Sequence, residues 1–294
     1  MSQAQLATPN SRVLTHRAPI SLGLRKAALY VAFILLTGIF IMPVVWLFLT
    51  SLKANSEYGT YPTMLFPAIP QWLNYPEAII VRPFFRLAWN TTQIAVPSAI
   101  LTVLSSSLAG FAFARMNAPG KRVLFILVLS MLLVPRMVTT IPNFILFSKL
   151  GLTNTYWPWI LWGLAGSSFN IFLFRQFFAA VPKDLEDAAE VDGCNRFRVF
   201  WQIFMPVSGP VVATALIFHF QWVWGDWFTP NILLSSENTT LSVGLGTLYL
   251  DPKGMTLYTI YMAALVCYLL PMLIIFLIGQ KYIVQGIVTT GLKG

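Results

Sequence analysis

Three polar side chains recur at helical spacing in an otherwise apolar run: His219, Trp222 and Asp226, at i, i+3 and i+7. On one helix they would share a face. An indole can stack on a sugar ring, and an imidazole and a carboxylate can bond its hydroxyls. The alternative is packing between helices, with Trp222, Trp224 and Trp227 as an interfacial belt. Arg136 stands inside the apolar stretch LLVPRMVTTIP, and a cation there is costly enough to suggest function. It could bind hydroxyls or grip an anionic group through paired hydrogen bonds. It could equally satisfy carbonyls freed near Pro135 or extend to an interface. Asn170, in the middle of another apolar stretch, has the same two readings.

Other chemistries lack their residues. No G-x-x-x-x-G-K-[ST] occurs, since Gly120-Lys121 is followed by Arg122, so any ATP chemistry must come from another chain. No G-x-S-x-G elbow is present. Two histidines give no metal cluster, and Cys194 and Cys267 lie in segments that do not meet. A membrane-embedded enzyme, the rival class, needs a nucleophile and a base at one depth; His219 has no evident Ser or Cys partner.

The elements that must position these residues are apolar. Of 294 residues 57% are hydrophobic and 10% charged, with a mean hydropathy of +0.71. Soluble domains carry about 25% charged residues. Ala27 to Thr50 runs without a charge, long enough to span a bilayer. No small-residue cleavage site follows it, so a retained helix is expected after a polar, basic tail at 1–26. The fold expected is an all-α membrane protein with six spans at about 27–51, 88–113, 122–147, 154–179, 207–232 and 257–280. Segments 52–87 and 233–256 are expected outside, the first ordered by its aromatic residues at a headgroup boundary. The net charge of +9 is unevenly placed: with the N-terminus inside, thirteen of the nineteen Lys and Arg fall on the inner side and five outside. That is the positive-inside pattern rather than a nucleic-acid footprint.

Five of the ten acidic residues lie in residues 182–206: Asp184, Glu186, Asp187, Glu190 and Asp192. Pro182 stops the preceding span. Asp184 is expected to cap a short helix with Asp187 at N3, placing Leu185, Ala188 and Ala189 on one face. Gly193 ends that helix, and Asn195 caps a second one. There Phe197, Phe200, Trp201 and Phe204 should form a single apolar stripe. The plain alternative is an amphipathic connector lying on the membrane, although five acids suit anionic lipid poorly.

These residues resemble the cytoplasmic-loop signature of binding-protein-dependent ABC importer permeases, E-A-A-x3-G-x9-I-x-L-P. Here it runs Asp187-Ala188-Ala189, three residues, Gly193, nine residues, Ile203-Phe204-Met205-Pro206. Asp187 stands for the usual Glu and Met205 for the usual Leu. The chain from 27 to 294 resembles the carbohydrate branch, in particular the maltose-type second permease subunit. The likeness rests on Phe113–Lys121, Pro142, Leu150–Tyr156, Phe174–Phe177 and Gly286–Gly294.

The resemblance implies a type I permease in the prokaryotic inner membrane, with both termini in the cytoplasm. Its coupling loop at 182–206 would seat Glu186, Asp187, Ala188, Ala189, Glu190 and Gly193 against an ATPase subunit. The implied partners are a homologous second permease, two ATP-binding subunits and an extracytoplasmic solute-binding protein. The cargo implied is a carbohydrate, passing Arg136, Asn170, His219, Trp222 and Asp226. ATP and Mg would sit on the ATPases, with no cofactor in this chain. The outer loop at about 235–254 would reach into the binding protein. The same family implies that the glycosylation-like Asn90-Thr-Thr92 and Asn238-Thr-Thr240 carry no glycan. A permease for glycerol phosphate or an anionic sugar remains the alternative.

Overall fold

The structure is a computed structural model describing residues 22–246, 249–250 and 253–291, with backbone alone at 22 and from 283 onward. Most of the expected tail at 1–26 and the last residues of the expected C-terminal likeness lie outside these. Every regular element is helical among the described residues. The chain forms two compact units, Met1–Trp46 and Leu47–Gly294. Helix α1 (Leu22–Ser51) supplies the described part of the first; its side chains from 23 to 45 are exposed, as an apolar helix for a lipid environment would be.

In the second unit the order is α2 (Asn74–Val81), α3 (Phe84–Arg115), α4 (Lys121–Ser130), α5 (Arg136–Lys149), α6 (Trp157–Ala165) and α7 (Ser168–Ala180). Then come α8 (Lys183–Val191), α9 (Arg196–Val199), a π-turn at Phe200–Phe204, α10 (Met205–Val207) and α11 (Gly209–Trp224). Short helices α12 (Phe228–Leu233) and α13 (Leu241–Leu245) precede the long α14 (Tyr258–Gly291). Among the described residues three helices are long and apolar enough to cross a membrane alone, and up to six crossings are reached if each bent pair counts as one.

The bends refine the expected spans. The stretch read as one span at 122–147 turns by 100° between α4 and α5, at Pro135, which cannot continue the hydrogen-bond ladder. The chain turns by 77° into α8 at Pro182, and by 80° into α11 at Ser208. By contrast, Pro43, Pro97, Pro142 and Pro271 sit inside helices.

Helix α3 is the central post, packed against α6, α7 and α11. Half of its buried residues are small ones in the middle and C-terminal parts: Ala95, Ser98, Ala99, Thr102, Ser106, Ser107 and Gly110. Lipid tails are as apolar as leucine, so close backbone approach rather than water exclusion must hold such helices together. The contacts follow from that. Ser105 Oγ donates to the Gly163 carbonyl at 2.7 Å, and the Ser167 amide donates to Ser106 Oγ at 3.0 Å. A Cβ at Gly110 would lie 2.6 Å from Phe174 Cβ and 3.0 Å from the Arg175 amide nitrogen, neither of which can swing away. Gly110→Ala gains up to about 1 kcal/mol of helix propensity but forces α3 and α7 apart, a strain of about 1–3 kcal/mol. We expect net destabilisation, read as a lower melting temperature of the detergent-solubilised protein.

The 233–256 segment is not a loose loop where it is described. Asn90 Nδ2 donates to the Thr239 carbonyl at 3.0 Å, and the Leu241 amide donates to Thr91 Oγ1 at 2.8 Å. Asn154 Oδ1 accepts from the Ser235 amide at 3.0 Å and from Asn238 Nδ2 at 3.1 Å. The two glycosylation-like asparagines are thus structural ties. Tyr249 is buried and donates to the Ala78 carbonyl at 3.1 Å, and burial pushes its phenol up to about 12, so it stays a donor. Within 52–87, expected to be ordered, α2 forms and Asn74 Nδ2 bonds the carbonyls of Ser51 and Lys53 at 2.7 and 2.9 Å.

Candidate functional site

Two constellations carry the candidate residues. The first is a cavity of about 940 Å³ walled by α3, α5, α6, α7, α11 and α12. That size lies near the top of the ~300–1,000 Å³ range for small-molecule pockets. Arg136, Asn170, His219 and Trp222, from three separate expected spans, all line it. The bends create it: Pro135 starts α5 anew with Arg136 as its first residue, and the break at Gly166-Ser167 lets α7 begin with Asn170 near its start. Gly166 holds φ +79°, a left-handed conformation suited to glycine.

Asp226 is the exception to the expected helical face. Helix α11 ends at Trp224, so Asp226 lies past it. Its Oδ1 accepts from the amides of Phe228 and Thr229, both at 3.1 Å, in the first turn of α12. Its Oδ2 accepts from Arg136 Nη2 at 2.8 Å. The Arg136 guanidinium also lies 5.1 Å from the Trp222 ring centroid. Arg136 therefore neither caps freed carbonyls nor stands as an unpaired charge. Of the three tryptophans in the alternative belt, Trp224 is buried, stacked on Phe220 and Tyr268, while Trp222 and Trp227 are exposed.

The remaining lining is largely apolar, with hydroxyl and amide side chains set in it. Thr139, Thr140, Asn143, Ser167 and Gln221 alternate with Trp162, Phe144 and Phe218. His219 Nε2 is 3.4 Å from Thr102 Oγ1. Asn170 is 3% exposed. Trp159, also lining the cavity, has a buried Nε1 with no hydrogen-bond partner. A buried donor without an acceptor is costly and requires an explanation. Sequence reasoning passed over Trp159, because a tryptophan in WPWILW reads as membrane-facing until its partners are known.

The second constellation is the acidic segment. Helix α8 begins at Lys183 behind Pro182, which makes no side-chain cap, so Asp184 lies inside the helix rather than at its cap. Gly193 does end it, at φ +78°, with its amide on the Glu190 carbonyl at 3.0 Å and the Cys194 amide on the Ala189 carbonyl at 2.9 Å. Asn195 caps the next turn, accepting from the Arg198 amide at 2.9 Å.

The expected apolar faces divide. Leu185 and Ala188 are exposed while Ala189 is buried. In the second helix the π-turn at 200–204 widens the spiral. Phe200 and Phe204 enter a core with Phe111 and Phe178, whereas Phe197 and Trp201 stay outside, stacked edge to face at 6.2 Å. Asp187 and Glu190 point outward with Ala188. Glu186, expected beside them, is 4% exposed and turned inward. It pairs with Arg115 at 3.6 Å and with Arg196, which also reaches Glu190 at 2.8 Å.

A bent helical scaffold around a cavity whose polar groups are set in a largely apolar lining, with a helix latched to one end, is an arrangement suited to a polytopic membrane transport subunit. The chain belongs to the binding-protein-dependent transport system inner membrane component family, whose pattern matches residues 103–289. It is similar to an arabinooligosaccharides transport system permease protein of Halalkalibacterium halodurans, at 32% identity over 90% of this chain and 96% of the relative. Likeness to an osmoprotective compounds uptake permease protein of Synechocystis sp. is 29% over 92% and 93% of the two chains. A sulfoquinovosyl glycerol transport system permease protein of Agrobacterium fabrum matches at 30% over 89% and 91%. In fold, the chain superposes with a TM-score of 0.77 on a bacterial ABC transporter involved in the import of the acidic polysaccharide alginate. That match has 21% identity and covers 94% of this chain and 100% of the other. The protein is therefore a non-catalytic, multi-pass inner-membrane permease subunit of an ABC importer, acting with other components of its transporter.

Proposed function

We propose that this permease forms half of the pathway for an uncharged carbohydrate and is driven through α8 by a cytoplasmic ATPase. The observation that carries the cargo is the cavity. Its hydroxyl, amide and indole lining suits a polyhydroxylated solute, and its cation is already neutralised by Asp226 at 2.8 Å. An acidic solute would instead favour an uncompensated guanidinium. The relative named for arabinooligosaccharides supports the same class. The second permease would complete the pathway, and the solute-binding protein would deliver to its outer mouth. Two ATPases would bind ATP and Mg on the cytoplasmic side, to which both termini and α8 are assigned in this reading because the excess of Lys and Arg favours it.

Asp187, Ala188, Glu190 and Gly193 form the docking face in this reading, with Ala189 and Glu186 fixing the helix beneath it. Gly193 provides the test. A Cβ there would meet nothing within 4 Å, so a substitution meets no obstacle inside the permease. Its positive φ costs a side chain roughly 1–2 kcal/mol. Gly193→Asp is expected to leave the permease in the membrane while abolishing solute-stimulated ATP hydrolysis and uptake by the assembled importer. Unchanged stimulation and uptake would reject the docking assignment.

A further inference from the structure

We infer that Arg115 is the positioning residue that carries movement of α8 to the helices lining the cavity. The inference rests on the docking reading of α8 and goes beyond it. Along the chain, α8 is tied to α7 only through Val181-Pro182, a two-residue joint. Two non-covalent ties lie beneath it: Ala189 packs into the cluster of Phe174, Phe178 and Phe200, and a charged pair lies beside it. Glu186 turns away from the exposed face of α8 toward Arg115, the last residue of α3, and both side chains are nearly out of solvent.

The guanidinium divides its donors among separate elements. Nη1 lies 3.6 Å from Glu186 Oε2 on α8. Nε and Nη2 donate to the Phe178 carbonyl at 3.1 and 2.7 Å, and Nη2 also donates to the Val181 carbonyl, closing the end of α7. Its planar face lies 5.1 Å from the Phe204 ring centroid in the π-turn that leads to α11. One side chain thus joins α3, α7, α8 and the approach to α11. Three of these, α3, α7 and α11, wall the cavity through Ser98, Asn170 and His219.

Helices transmit displacement along their length as stiff rods, and the Phe111, Phe174, Phe178, Phe200 and Phe204 cluster packs these ends into one block. A buried carboxylate parted from its guanidinium is strongly disfavoured, so displaced α8 must take Arg115 with it. Arg196 hydrogen-bonds the same carboxylate and also pairs with Glu190, but both pairs join α9 to α8 and lead to neither α3 nor α7. The task needs an arginine: a lysine ammonium is a point charge without the fork that spans Glu186 and two carbonyls at once.

The experiment uses the assembled importer in proteoliposomes, with Cys194→Ser and Cys267→Ala and a reporter thiol at Asn143→Cys in the cavity wall. Its rate of reaction with a maleimide is measured with and without ATP plus vanadate. The unaltered relay is expected to change the rate several-fold on nucleotide trapping. In Arg115→Lys the ATPase should remain bound at the original ratio while the change falls to within error of zero, and Glu186→Gln should lose the change likewise. A full nucleotide-dependent change in both variants would overturn the inference. So would loss of ATPase in parallel with loss of the change, which would make Arg115 a builder of the docking site only, or absence of any change in the parent. Gly193→Asp in the same assay separates the two readings: if it keeps its ATPase and its response, the docking reading itself fails.

Discussion

Ala188→Trp is expected to strip the ATPase from the permease, whereas Ala189→Trp is expected to cripple the permease itself. The two alanines are neighbours in one short helix, yet Ala188 is exposed and Ala189 is 6% exposed against the Phe174, Phe178, Val199 and Phe200 core. At an exposed position a substitution usually shifts stability by no more than about 0.5 kcal/mol. The indole at 188 would therefore act on the partner, and a clash at the centre of an interface costs about 2 kcal/mol or more, roughly thirty-fold in affinity. At 189 the same side chain overpacks a close-packed cluster, with a cost of about 3 kcal/mol or beyond. Copurification of the ATPase reads the first effect, and the melting temperature of the permease alone reads the second. Equal loss of ATPase binding with equal destabilisation in both would contradict the division of α8 into a docking face and an anchored face.

Asp226 has two separable tasks, and two substitutions should resolve them. Asp226→Asn keeps an oxygen for the amides of Phe228 and Thr229 but removes the charge that faces Arg136. Asp226→Ala removes both. Because Arg136 is partly exposed to the cavity, the lost pair is discounted to about 1–2 kcal/mol, near tenfold in rate. We expect the initial rate of solute uptake to fall about tenfold in both variants. Asp226→Ala should in addition melt lower, by the roughly 1 kcal/mol that a missing helix-end acceptor costs. Uptake preserved in Asp226→Asn but lost in Asp226→Ala would mean that only the turn matters and that charge neutrality of the cavity does not.

What the sequence made legible was local. Pro182, Gly193 and Asn195 act on their own neighbours, and their positions in α8 and α9 follow from backbone preference alone. The apolar stretches likewise gave the long helices. What stayed hidden depends on partners distant in the chain. Nothing in LEDAAE marks Glu186 as the inward acid, since its direction is set by Arg115 at the end of another helix. The π-turn shifted the register of Phe197, Phe200, Trp201 and Phe204 and split a stripe that regular spacing had joined. Asp226 fell outside its expected face because Gly225 follows the last turn of α11. The Ser, Thr and Asn of 233–246 carried no sign of order, because composition cannot tell solvated polar groups from those bonded to Asn90, Thr91 and Asn154. The cavity could be anticipated as residue types but not as a place, since the breaks at Pro135 and Gly166 bring Arg136 and Asn170 to one wall.

The central claim is that the exposed face of α8 lies on the cytoplasmic side and is covered by the ATPase. A single thiol at Ala188→Cys tests it most directly, in a chain with Cys194→Ser and Cys267→Ala, reacted with a membrane-impermeant maleimide. The expected result is no labelling in intact cells, labelling in inside-out vesicles stripped of ATPase, and protection when the ATPase is rebound. Labelling from outside the cell, or equal labelling with and without ATPase, would contradict it.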